Sequence, residues 1–240
     1  MVASSAAVPG QRSPEENMNW QGIARKFLPM TASGLLNSAR TAARPRRRHG
    51  NVAVMFVDIE GCTRLCEDLP PKEMTRVIET YFSRYLDIVR EAGGEVTEVL
   101  GDGLVALFEG PSLRENATRA IRAALRIREA TRELNARDKD GHDPIVVNIG
   151  MNAGVASVGI MRLRGESGER WVYAATGPVT NIAARLCALA TRGQILVSGT
   201  VAEWVSGTYR VRRLGPRRLK NVSGAVEVFE ILLAVYPSDL

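Results

Sequence analysis

The sequence predicts an α+β domain, one sheet rich in antiparallel pairs with helices on one face. Three observations carry that class. VAVMFV (52–57) is an unbroken apolar run of strand length, hence a buried strand. EVTEVL and LVALFE flank Gly101-Asp102-Gly103, the signature of a hairpin. Residues 74–92 and 116–137 carry their apolar side chains at helical spacing.

Taken in order, residues 1–15 are rich in Ala, Ser, Pro, Gly and Gln and read as disordered. Residues 17–41 contain Trp20, Ile23, Phe27, Leu28, Leu35 and Leu36, enough for one or two short amphipathic helices broken at Pro29. The organisation is therefore a basic segment over 1–50, one domain over 51–235, and a tail over 236–240. Within the domain, strand 52–57 is followed by a helix that starts after Gly61 and stops before Pro70-Pro71. The next helix places Val77, Ile78, Tyr81, Phe82, Tyr85, Ile88 and Val89 on one stripe and ends at Gly93-Gly94. After the hairpin and helix 116–137, residues 145–161 read as two strands separated at Asn152–Gly154. WVYAA (171–175) is a strand, 179–190 a helix after Gly177-Pro178, and 194–198, 208–214 and 226–232 are the closing strands.

Charge is concentrated at one end. Residues 1–50 hold eight arginines and lysines against two glutamates, which accounts for the whole net charge of +6. The domain itself is neutral, so no nucleic-acid-binding face is expected. RPRRR (44–48) suits a weak contact with an acidic membrane surface, but a solvated linker is the simpler reading. No stretch has the length and apolarity of a membrane span or signal peptide, and the three cysteines make no disulfide framework, so a cytoplasmic setting is expected. Cys62 and Cys66 share a helix face, but no histidine is near to complete a zinc site, and buried thiols are expected.

Two carboxylates stand out. Asp58 ends the first strand, and Asp102 sits in the hairpin turn. If those strands are neighbours, both acids meet at one sheet edge. Two hard oxygen donors on separate rigid elements suit Mg²⁺, which leaves its remaining positions to water and phosphate. The competing reading is local: Gly-Asp-Gly is a common turn, and an acid after a strand often caps the helix that follows.

FVDIEGCTRL, EVLGDGLVALF and GPVTNIAARLCALATRGQILVS together resemble the class III nucleotidyl cyclases, the adenylate and guanylate cyclase family. The pattern runs from about residue 51 to 233, and Asp58 and Asp102 stand 44 residues apart, similar to the family's metal-aspartate spacing. The resemblance implies a ferredoxin-like domain that dimerises head to tail, with active sites shared between subunits. It implies that Asp58 and Asp102, helped by the Ile59 carbonyl, hold two Mg²⁺ or Mn²⁺ ions. Gly61, Cys62 and Thr63 would receive the triphosphate. The partner subunit would supply Asn181 for the ribose, Arg185 for the α-phosphate and Lys220 for the terminal phosphates. The implied reaction is that of a phosphorus–oxygen lyase, which closes an NTP into a 3′,5′-cyclic nucleotide and releases pyrophosphate. Residues 161–171 would be a flexible arm that crosses to the partner.

Two positions bear on the base. Glu98 stands where adenylate cyclases of the family commonly have lysine, and Ala174 where they commonly have aspartate or threonine. An ionised carboxylate only accepts, and guanine offers N1–H and N2–H₂ as donors, so GTP is the expected substrate. ATP, and a pyrimidine nucleotide through its N3–H, remain alternatives. So do a catalytically weak nucleotide-binding regulatory module and an unrelated ferredoxin-like interaction domain. The family's usual phenylalanine after the first-motif glycine is Cys62 here, and Gly177-Pro178 replaces a frequent Gly-Asp. Neither change removes a catalytic group.

Overall fold

The computed structural model describes residues 47–137, 143–166 and 168–234. The helices expected within 17–41, the tail expected over 1–15 and that over 236–240 lie outside the described residues. The described elements are β1 (Arg48–Ile59), α1 (Cys62–Asp68), α2 (Pro71–Glu91), β2 (Glu95–Leu100), β3 (Gly103–Glu109) and α3 (Leu113–Arg137). They continue as β4 (Val147–Gly165), β5 (Gly168–Thr176), α4 (Pro178–Leu189), β6 (Ile195–Ser198), α5 (Gly199–Val205), β7 (Tyr209–Arg218) and β8 (Ala225–Ala234).

The sheet runs β2-β3-β1-β4-β6-β8-β7, with β5 paired to β4 alone. Every pairing is antiparallel except β4 with β6. The first four strands with their helices form the ferredoxin-like core, with β3 and β1 as its inner strands.

β1 is apolar on both sides because both sides are covered. Ala53, Met55, Val57 and Ile59 enter the cluster that contains the apolar stripes of α2 and α3. Val52 and Val54, with half-buried Phe56 against them, enter a second cluster with Tyr173, Ala175 and the α4 residues Val179 and Ala183. The expectation of helices on one face is thus corrected. A strand alternates side chains between faces, so an unbroken apolar run needs cover on each.

Tertiary hydrogen bonds tie α2 to α3. Tyr85 and Thr131 pair their hydroxyls at 2.7 Å, and Tyr81 donates to Asn135 Oδ1 at 2.8 Å. α3 starts with Ser112 Oγ accepting from Glu115 N–H at 3.3 Å, a side-chain cap.

Three further expectations change. Residues 147–165 form one strand, not two, because Asn152 is not in a turn. Its side chain is buried, accepting from Ser198 Oγ at 2.8 Å and donating to the Val179 carbonyl at 3.3 Å. The expected flexible arm is the paired end of β4 and β5, with Met161 opposite Val172 and Gly165 opposite Gly168. Arg47 and Arg48 are not solvated linker. Arg47 donates to the Ser157 carbonyl and to Thr176 Oγ1 at 3.1 and 2.7 Å, and Arg48 pairs with Glu109 at 2.9 Å. No helix among the described residues is long and apolar enough to cross a membrane.

Candidate active site

The two aspartates meet because of register. β1 and β3 pair Asp58 with Gly103, so the residue before Gly103 flanks the end of β1. The turn from β2 to β3 has only Gly101 and Asp102 between the paired residues Leu100 and Gly103. Gly101 has φ 62° and Asp102 is not in the left-handed region, the arrangement of a two-residue turn with glycine at its first central position. Ile59 N–H donates to the Asp102 carbonyl at 3.1 Å and fixes the turn against β1.

The electrostatics fit a cation. Asp58 is exposed at the strand end, yet shielding by the surrounding chain raises its pKa, and the charge of Asp102 raises it further. A shielded Asp58 beside the charge of Asp102 makes a donor pair that a divalent ion would relieve. Among the described residues no three side chains of His, Cys, Asp or Glu close on one point. Asp58 and Asp102 therefore leave coordination to a backbone carbonyl, water and a ligand's oxygens.

Gly61 caps α1 with φ 68°, Cys62 is its buried first residue, and Thr63 is exposed. Burial, then Asp102 and Cys66 beside it, push the Cys62 thiol up to about 12. Cys66, expected to be buried, is exposed; Cys187 is buried and donates from Sγ to the Asn148 carbonyl at 3.4 Å. A cleft of about 190 Å³ opens beside Asp58, between the ends of β1 and β3 and the Ala184, Cys187 and Ala188 face of α4. Glu60, adjacent in sequence to Ile59, is committed elsewhere. It accepts from Asn148 Nδ2 at 3.1 Å and from Arg192 N–H at 2.5 Å, which pins loop 190–194 to the end of β1. Nothing in the sequence marked Glu60 as structural, since its partners lie 88 and 132 residues away.

The profile of the adenylate and guanylate cyclase catalytic domain matches residues 45–232. The chain belongs to that family. Adenylate cyclase 1 of Rhizobium meliloti (strain 1021) is 27% identical over 185 residues, covering 75% of this chain and 27% of the relative, so the chain spans about a quarter of that relative's length. The crystal structure of the guanylyl cyclase Cya2 superposes with TM-score 0.70 at 27% identity, covering 81% of this chain and 98% of that one. The adenylyl cyclase CyaB from P. aeruginosa superposes at 0.71 and 22%, covering 82% and 100%, and shows the shared fold.

Within this cyclase domain none of the other expected site residues Asn181, Arg185, Lys220, Glu98 and Ala174 bonds to the aspartates among the described residues. Asn181 and Arg185 lie on α4, exposed and half-buried respectively; among the described residues neither side chain hydrogen-bonds and Arg185 has no ion-pair partner. Lys220 is exposed at the turn between β7 and β8. Glu98 is exposed on β2 where the ladder shifts register, and Ala174 is half-buried on β5. β2 and β5 approach each other, which brings the two positions expected to bear on the base to neighbouring elements.

Proposed function

We propose that the chain converts an NTP into a 3′,5′-cyclic nucleotide and pyrophosphate, and does so as a homodimer with shared sites. The observation that carries this reading is the meeting of Asp58 and Asp102 at one strand end, where the charge of Asp102 raises the cost of ionising Asp58, in a chain of the cyclase family. Asp58, Asp102 and the Ile59 carbonyl would hold two Mg²⁺ or Mn²⁺ ions. Such ions, when bound, stabilise triphosphate charge and acidify the ribose 3′-hydroxyl. Gly61, Cys62 and Thr63 would seat the triphosphate. Asn181 would orient the ribose, Arg185 would place its planar fork on the α-phosphate, and Lys220 would neutralise the terminal phosphates. The 3′-oxygen, its proton passed to solvent water, would then form its bond to the α-phosphorus as the bond to pyrophosphate breaks. The rate would come from positioning and charge complementarity, without a side-chain base.

For the base, GTP is the substrate this site suits best. Related proteins carry both names, adenylate and guanylyl cyclase, so the choice rests on Glu98 and Ala174. Glu98 has no partner among the described residues and would accept from guanine N1–H and N2–H₂. Adenine would present its N1 acceptor to that carboxylate, and Ala174 offers its amino group nothing. The test is product identification by mass spectrometry with each of the four NTPs and Mg²⁺ or Mn²⁺. Cyclic GMP as the main product, absent in Asp102→Asn, is the expected result. Hydrolysis to the diphosphate without any cyclic product would overturn the reaction assigned here.

A further inference from the structure

Neither thiol of α1 is needed for the chemistry proposed, yet they converge next to Asp102. Cys62 and Cys66 bring their sulfurs to 3.8 Å. Two sulfurs on one tetrahedral zinc ion, each at about 2.3 Å, also stand about 3.8 Å apart. The helix therefore holds the pair at the bite of a soft-metal clamp without rearranging its backbone. Cys66 is exposed and gives a path of entry, whereas Cys62 is buried with Asp102 as its other polar neighbour. The third cysteine differs. Cys187 is spent on the Asn148 carbonyl and faces the Asp58 side of the cleft.

We propose that Cys62 and Cys66 form a thiophilic metal site that takes a zinc-class ion, with Asp102 recruited as third ligand and water as fourth. The three groups do not already close on one point. Asp102, however, stands half-buried in a two-residue turn beside Cys62, and turning its side chain onto the sulfurs would complete the set. The two thiol protons leave to solvent as the ion binds. Hard ions prefer the Asp58–Asp102 carboxylates, and soft ions prefer the sulfurs. An Asp102 oxygen given to a sulfur-held ion would be lost to the ions beside Asp58. A zinc-class ion on the thiols would thus withdraw a carboxylate from the catalytic pair and inhibit turnover. That consequence rests on the cyclase reading; the binding itself does not.

The experiment uses the full chain, reduced, metal-free and under exclusion of air, titrated with Cd²⁺ alone and followed by thiolate-to-metal charge-transfer absorbance. One equivalent should saturate the band, Zn²⁺ should displace it, and Cys66→Ser should remove it while Cys187→Ala keeps it. Asp102→Asn should weaken binding at least about tenfold, since even outer-shell changes cost that much. A band that survives Cys66→Ser would overturn the site, and one indifferent to Asp102→Asn would overturn the third ligand. The second arm measures inhibition by Zn²⁺ at saturating Mg²⁺. Cys66→Ser should match the parent without zinc and tolerate at least about tenfold more of it. A cadmium band that needs both cysteines, with no zinc inhibition of an active parent, upholds the site and overturns the sharing of Asp102. If the parent makes no cyclic product at all, the cadmium arm still decides the site, and only the cyclase reading fails.

Discussion

At the scale of single residues, Asp58 is held at a cost. Its folded-state pKa lies above the ordinary 3.8, raised first by shielding and then by Asp102. A carboxyl with a raised native pKa binds protons more tightly folded than unfolded. Stability therefore falls as pH rises from the ordinary value through the raised one, and stays lower above it. Asp58→Asn should raise the melting temperature of the metal-free protein at pH 7, and the gain should vanish at pH values below the ordinary carboxylate pKa. Mg²⁺ should stabilise the parent and not the variant, and cyclisation should fall at least about a thousandfold, because the charge stabilisation organised there is worth several kcal/mol. A variant that melts with its parent at pH 7, thermally scanned without metal, would refute the strain. The base position gives a second residue-scale expectation. kcat/KM for GTP should exceed that for ATP by about one to two orders of magnitude, and Glu98→Lys should shrink or reverse the ratio, since each unmade buried hydrogen bond costs roughly 1–3 kcal/mol. Parallel assays with both nucleotides decide it; ATP preferred by the parent and an unmoved ratio in Glu98→Lys would remove Glu98 from base selection.

At the scale of elements, α4 sits where it does because β4 lets it. A Cβ on Gly150 would lie 1.9 Å from Cys187 N and 2.5 Å from the Ala183 carbonyl oxygen, so the helix backbone rests directly on the strand. Gly150→Ala should destabilise the domain by about 3 kcal/mol, at the upper end for overpacking, because backbone cannot yield as a side chain does. It should also displace Asn181 and Arg185, and a shift of about 1 Å in such groups costs roughly a hundredfold in rate. Thermal melts with kinetics on the same preparation would show both, and an unshifted melt would mean that α4 does not bear on Gly150. The same contact explains what the sequence could and could not show. The helix at 179–190 and the β character of 145–161 are legible from periodicity and Gly-Pro punctuation, but the choice of face for α4 depends on Gly150, whose neighbours Ala183 and Cys187 lie 33 and 37 residues on. α5 went unread because seven residues, Gly199–Val205, are too few for a period to declare itself. The Asn152 side chain suggested a break in β4 because its partners, Ser198 and Val179, come from other elements. The aspartate pair was legible because one hairpin turn and one strand end encode it locally, with only the β1–β3 register to supply.

At the scale of the whole molecule, the groups assigned to the reaction fall into two sets on one chain. Asp58 and Asp102 occupy the β1–β3 edge, whereas Asn181, Arg185 and Lys220 carry no bond to them, and half-buried Arg185 has no ion-pair partner among the described residues. An arginine kept partly from water without a counter-charge is a group awaiting one, and the triphosphate held by a second subunit would supply it. Asp58→Ala and Arg185→Ala homodimers should each be nearly inactive. Mixed in equal amounts under conditions that allow exchange, half of the dimers become mixed. Each mixed dimer joins the intact Asp58 of one chain to the intact Arg185 of the other at one of its two sites, and carries both lesions at the other site. Recovery should therefore approach about a quarter of the parent activity, the value set by two-fold symmetry and random pairing. Size-exclusion chromatography with light scattering would verify that exchange occurs between dimers. Exchange without recovered activity would mean that each chain completes its own site, with α4 reaching the aspartates through the cleft that its Ala184 and Ala188 face already lines.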